Sequence, residues 1–275
     1  MMKSILAAGV SLLALTAVSA AEAKTVGHVA GGVNYVDWDE DVFGGKDINW
    51  WQMNFQGAAA FDLTPTWNAQ FDFSFNSDRL SGDAFSGKSI ALDTWRAGTE
   101  LFWRDSTQGM VGLEVAYQTL DQAQSLDGYL VALRGEYYSS DAFTFGGGVS
   151  YNSFDDSGVS LDTWGGNVFG TYYANEKTGI SLRANYNSTD LPGSSPEVDT
   201  WGVSADVEYL FDNNLSLSGS LGYSSIDVVS DDLSRLTVGA KLKIYFGTEG
   251  SLANQHRTGS LEPSQSGFSL PFFGL

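Results

Sequence analysis

The chain has 275 residues, 14 basic against 33 acidic, a formal charge of −19 at pH 7 and no cysteine. The absent cysteine excludes a disulfide framework and any thiolate nucleophile or metal ligand. The acidity repels nucleic acid, and no basic patch offsets it; 13% aromatic residues, 32 glycines and only 5 prolines fit a strand-rich chain better than a helical one.

Residues 1–23 read as a secretory signal peptide. Lys3 supplies the positive start, Ile5 to Val18 the apolar run, and Val18-Ser19-Ala20 or Ala21-Glu22-Ala23 the small-x-small cleavage signal. The run is shorter than the roughly 20 residues that a transmembrane helix requires. No later stretch is long and apolar enough either. A membrane-embedded form of this chain must therefore be a closed barrel, which satisfies every backbone group between strands.

From residue 24 to 247 the chain is a series of β-hairpins. Asp-Thr-Trp recurs at 93–95, 162–164 and 199–201, with related openings at Asp47-Ile48-Asn49-Trp50-Trp51 and Asp127-Gly128-Tyr129. Each opens a segment of alternating apolar and polar residues. After a turn a second such segment follows, and the unit returns about every 35 residues. The alternation predicts twelve strands with cores at 26–37, 48–61, 67–76, 93–103, 110–119, 128–138, 143–152, 163–173, 180–187, 200–211, 215–224 and 235–246. Most span about 9 to 11 residues, enough to cross the hydrocarbon layer at a tilt. Short turns such as Leu63-Thr64-Pro65 and Asp212-Asn213-Asn214 are expected at one end, the periplasmic one. Longer loops near 38–47, 76–92, 153–162 and 188–199 are expected at the other.

The aromatic residues separate a lipid-facing barrel from a soluble sandwich. On the apolar face Trp51, Trp95, Tyr129, Trp164 and Trp201, with Tyr117, Tyr151, Tyr186 and Tyr223, mark one level. Phe61, Trp103, Tyr137, Tyr172 and Phe211 mark the other, with Phe246 closing the last strand. Two aromatic levels bounding an apolar band match the two interfaces of a membrane. Parity then sends Asp72, Arg96, Glu100, Glu114, Arg134, Glu136, Arg183, Asp206, Glu208, Lys241 and Lys243 inward, as candidate pore-lining residues of nearly balanced charge. Gln52, Asn54, Gln56, Asn68, Gln70, Asn167 and Asn185 join them, and Gly146, Gly148, Ser216, Ser218 and Ser220 leave one wall thin.

The last strand, from Thr237 to Phe246, places Gly239 before alternating Leu242 and Ile244 and ends on an aromatic. It resembles the terminal β-signal of Gram-negative outer-membrane proteins. With the signal peptide and the hairpin repeat, the chain to Gly247 looks like an outer-membrane β-barrel of the porin-like kind. The resemblance implies an antiparallel up-and-down barrel exported to the outer membrane, with lipid and lipopolysaccharide around it and small hydrophilic solutes within. Family members often end at that aromatic, whereas residues 248–275 continue, rich in Ser, Gly and Pro and closing with Phe268, Leu270, Phe272 and Phe273. The tail reads as a flexible periplasmic extension; the alternative is a segment that docks in the barrel mouth.

The function expected is passive diffusion of small solutes or ions through a mixed-charge lumen. The alternative is a non-conducting structural or adhesive barrel that meets a partner through acidic outer loops, at Asp37 to Asp41, Asp155 and Asp156, and Asp227 to Asp232. A lipid hydrolase is the weakest reading, because only His28 and His256 are present and neither is placed beside a serine near the outer leaflet. No cofactor is expected, and no loop has the spacing of a calcium motif.

Overall fold

The computed structural model describes residues 24–38, 49–82, 89–121, 125–156, 159–190, 197–212, 214–228 and 231–264. The signal-peptide reading, the acidic loop at 39–41 and the terminal aromatics at 268–273 lie outside these. Twelve strands follow one another: β1 (Thr25–Trp38), β2 (Asn49–Asp62), β3 (Trp67–Ser81), β4 (Ile90–Asp105), β5 (Gly109–Asp121), β6 (Ser125–Ser140), β7 (Phe143–Asp156), β8 (Val159–Asn175), β9 (Thr178–Asp190), β10 (Val198–Asp212), β11 (Leu215–Val228) and β12 (Asp231–Phe246). Each pairs antiparallel with its neighbours in sequence. β1 pairs with β12, from Gly27 opposite Phe246 to Trp38 opposite Arg235, so the sheet closes. Closure removes the free edges that a sheet would otherwise expose.

The period-2 alternation decides which side chains face out. Val203, Val207, Leu182, Leu133 and Val168 are exposed on the outer wall, while the residues between them turn to the interior. Both aromatic levels are present on that wall. Trp95 packs on Tyr117 at 5.7 Å, Tyr151 on Trp164 at 4.7 Å and Trp201 on Tyr223 at 5.5 Å at one level. At the other, Phe143 meets Tyr172 at 4.8 Å and Tyr209 meets Phe211 at 5.1 Å.

Every strand but β2 is longer than its sequence core, and lengths run from 13 residues in β5 to 17 in β8. The stretch 153–162, expected as an outer loop, is mostly strand: β7 runs to Asp156 and β8 begins at Val159. Pairing continues above the aromatic level because the extra turns of hairpin carry inward apolar side chains of their own.

The register also explains the Asp-Thr-Trp repeat. Trp and Asp share the outer face two residues apart, and the Thr between them turns inward. Thr163 and Thr200 are buried, and Thr163 shares a 2.9 Å hydroxyl hydrogen bond with Thr189. Each Asp accepts a hydrogen bond from the neighbouring strand: Asp93 from Ser77 at 2.6 Å, Asp162 from the Tyr151 hydroxyl at 2.8 Å and Asp199 from the Tyr186 hydroxyl at 2.9 Å. These carboxylates form a tier just above the tryptophans. Asp93 stands opposite Asp121, Asp127 opposite Asp155, Asp162 opposite Asp190 and Asp199 opposite Asp227.

Candidate functional site in the barrel lumen

The segment after Gly247 does not trail away from the barrel as a loose extension; as far as Ser264 it turns back and rises inside it. Gly247 makes the turn with φ +77°, where an added Cβ would lie 2.0 Å from the Thr25 carbonyl oxygen. A glycine is required there, both for the positive φ and for the close approach. Ser251 then caps a short helix, α1 (Leu252–Thr258), accepting from the Asn254 amide. Leu252 is fully buried against Tyr173, Leu210 and Tyr245.

The base of the lumen holds α1 by its two basic residues. His256 contacts the Tyr173 hydroxyl through Nδ1 and the Glu208 carboxylate through Nε2, both at 3.1 Å. The same carboxylate accepts from Ser216 at 2.5 Å and from the Tyr245 hydroxyl at 2.8 Å. Arg257 donates to the Ser140 and Phe143 carbonyls at 2.6 and 3.0 Å and lies over the Tyr138 ring at 4.9 Å. Arginine suits this place because its planar fork can satisfy several acceptors and stack at once.

Beyond α1 the chain climbs without regular secondary structure, its backbone read by barrel side chains. Arg104 donates to the Gly259 carbonyl at 2.6 Å, and His28 Nδ1 meets the Ser260 hydroxyl at 2.7 Å. Gln70 brackets Leu261, donating to its carbonyl at 3.0 Å and accepting from its amide at 2.7 Å, much as a neighbouring strand would. The Leu261 side chain fills a pocket of Val26, Ala60, Phe102 and Met110. Burying Leu252 and Leu261 contributes roughly 1.5–3 kcal/mol each.

Glu262 crosses the lumen. Its carbonyl accepts from Arg134 on β6 at 2.5 Å, while its carboxylate meets Lys241 at 3.0 Å and Lys243 at 2.5 Å on β12, the strand diametrically opposite. The Ser264 amide then donates to Glu114 at 3.2 Å.

Beside the tail, on β3 to β6, the expected inward charges are brought together. Arg96 pairs with Asp72 at 3.1 Å and with Glu114, and Arg134 pairs with Glu100 through two guanidinium nitrogens. The Asp72, Glu100 and Glu114 side chains are fully buried. Lys243 joins Glu208 at 3.7 Å. Glu136 and Asp206 also face in, half-buried. The thin wall is placed differently from the expectation. Gly146 is overlain by the Phe169 ring, 2.4 Å from where its Cβ would be, and Ser216 and Ser218 are buried.

The openness lies further round, on β8 to β12. Arg183 points inward by alternation, between the outward Leu182 and Ala184, yet its side chain stays solvent-exposed over the Phe169 ring at 5.1 Å. Asn167, Asn185, Ser204, Asp206, Ser220 and Lys241, on β8 to β12, are only half-buried. A polar strip with water access thus runs along one side of a lumen whose other side is packed.

At the loop end the lining turns apolar. Val36, Trp38, Trp50, Leu80, Leu92, Val198 and Ile226, with Leu233, form one buried cluster, and Leu120, Phe154 and Leu161, with Leu126, form another. Every strand except β9 contributes to this collar. Arg235 sits 5.5 and 5.7 Å from the rings of Trp50 and Trp38.

Arg104, Arg235, the apolar collar and the tail contacts were not among the residues that sequence parity singled out. A signal for the tail existed: Leu252, His256, Arg257, Leu261 and Glu262 stand out within residues 248–264, which are otherwise mostly small and polar.

Comparison with known proteins agrees with this architecture. The family model described as outer membrane protein beta-barrel domain matches residues 130–242. The fold is that of outer-membrane β-barrel proteins. Among solved structures this barrel is similar to the β domain of the Bordetella autotransporter BrkA, with a TM-score of 0.53 at 8% identity, covering 81% of this chain and 100% of that one. The translocator domain of the autotransporter NalP from Neisseria meningitidis matches at TM-score 0.45 and 12% identity, over 87% of this chain and 97% of that one. The KdgM porin matches at TM-score 0.43 and 10% identity, over 77% and 97%. At such identities the likeness concerns the fold. A search of the curated proteins finds no match.

Proposed function

We propose that this outer-membrane barrel is a passive channel for small hydrophilic solutes or ions, narrowed in this conformation by its own carboxyl-terminal segment. The observation that carries the reading is the inward but solvent-exposed Arg183 within the polar strip on β8 to β12. A barrel serving only as a scaffold gains nothing from leaving a charged group wet inside a closed wall, whereas charge lining selects ions in a pore. On this reading lipid and lipopolysaccharide are the partners of the outer wall, and residues 1–23 direct export.

The geometry around His28 gives no support to a hydrolytic reading. His28 bonds Ser260, but its Nε2 is buried and lacks a hydrogen-bond partner, so no carboxylate orients the ring as a serine–histidine–acid triad requires. The apolar collar favours the second reading, a non-conducting structural barrel, because it narrows the outer mouth.

Planar-bilayer recording under a salt gradient separates the two. The channel reading expects discrete steps, and Arg183→Glu shifts the reversal potential toward cation preference. An unchanged reversal potential in a conducting Arg183→Glu variant contradicts it. Silence from folded protein, both whole and shortened after Gly247, favours the structural barrel.

A further inference from the structure

The two lysines on β12 have an occupant that belongs to the chain itself. Lys241 and Lys243 converge on the Glu262 carboxylate, and Arg134 reaches the same residue's carbonyl from the far wall. We propose that Lys241 and Lys243 form a carboxylate-binding subsite of the lumen, filled at rest by Glu262 and open to small carboxylate-bearing solutes when the tail withdraws.

Three features support competition between the tail and a solute. First, the resident ion pair is not sealed: the Glu262 side chain is 41% exposed and that of Lys241 27% exposed. It borders the same polar strip in which Arg183 stays wet, so a solute in that strip can reach Lys241, while Lys243 lies buried behind the Glu262 carboxylate. Second, the ion pairs of Glu262 with Lys241 and Lys243 are contacts that a free carboxylate can replace. Among the described residues 259–264, Leu261 adds an apolar anchor, and hydrogen bonds with Arg104, His28, Gln70, Arg134 and Glu114 hold the rest. Third, the surroundings set the class of ligand. Glu208 lies 3.7 Å from Lys243, and Asp206 stands two residues before it on β10. This much nearby negative charge suits a carboxylate, which brings one charge per group, better than a fully ionised phosphate.

The test needs no conductance, so it is independent of the channel reading. The chain has no cysteine, and Ser264→Cys places a single thiol in the lumen. A maleimide on a ~5 kDa polyethylene glycol is too bulky to enter beside the tail in a barrel this size, where side chains and a segment share the interior. Its rate of reaction with folded protein therefore reports the withdrawn fraction. Adding Glu262→Gln is expected to raise that rate about tenfold, the factor for losing a charge-assisted contact. Sodium succinate is expected to raise the rate in the Ser264→Cys protein with saturation, and sodium chloride at equal ionic strength is not. With Lys241→Ala and Lys243→Ala added, succinate should have no further effect. An unchanged rate with Glu262→Gln, or chloride acting as well as succinate, overturns the proposal. A succinate response in a protein that never conducts upholds the subsite and removes only the channel.

Discussion

Replacing Arg96 with methionine is expected to cost about 3–5 kcal/mol of barrel stability, the penalty for stranding buried charges. Arg96 is almost wholly enclosed, 4% exposed, between the fully buried Asp72 and Glu114. Methionine fills much of the same space, so packing changes little. What changes is that two carboxylates lose their main cation at the centre of the barrel, with Arg134 3.9 Å from Glu114 as the remaining neighbour. Removing all three charges together, as Asp72→Asn, Arg96→Met and Glu114→Gln, leaves no stranded ion and is expected to recover stability to within about 1 kcal/mol of the parent, since apolar or neutral replacements of a whole buried network are often nearly neutral. Equilibrium urea unfolding in lipid vesicles reads both values. A single substitution costing no more than the triple would mean that water, not Arg96, solvates those carboxylates.

Leu261→Asp is expected to release the tail. The substitution loses the burial of a leucine side chain, roughly 1.5–3 kcal/mol, and places a carboxylate among Val26, Ala60, Phe102 and Met110. An unpaired charge in an apolar pocket costs several kcal/mol more. The other contacts of residues 259–264 are hydrogen bonds and ion pairs, which water can replace, so the segment is expected to leave the lumen rather than bear this. The Arg257 peptide bond provides the readout, because a docked Arg257, held by three acceptors near the base of β7, is shielded from trypsin. Folded parent protein should keep its carboxyl terminus under limited digestion. The Leu261→Asp protein should lose the fragment after Arg257, detected by mass spectrometry. Equal resistance in both would show that α1 holds the tail without Leu261.

The barrel was legible in the sequence because its physics is local and periodic. A strand facing lipid on one side and a polar interior on the other must alternate, and segments such as Trp201 to Phe211 do so with one exception, the inward Leu210. Closure followed from the demand that no edge be left in lipid. The inward charges were legible for the same reason, parity alone placing Arg96, Glu100, Glu114 and Arg134 on one face. Which of them pair was not, because pairing depends on the stagger between strands that are distant in sequence. The collar was hidden by its position: Leu80, Leu92, Leu120 and Leu161 lie beyond the apolar band, where alternation fades into loop composition. The tail was the least legible part. Its contacts are single side chains reading an extended backbone, Gln70 on Leu261 and Arg104 on Gly259, and no periodic signal marks such a partner.

One measurement bears most directly on the account that this is a barrel narrowed by its own carboxyl-terminal segment. Single-channel conductance should be compared, in planar bilayers, for the full chain and for protein ending at Gly247, each verified as folded by its heat-dependent shift in gel mobility. The account predicts steps severalfold larger in the shortened protein, with the full chain giving small steps through the strip beside Arg183. Equal conductance in the two, or a folded shortened barrel that stays silent, would contradict it.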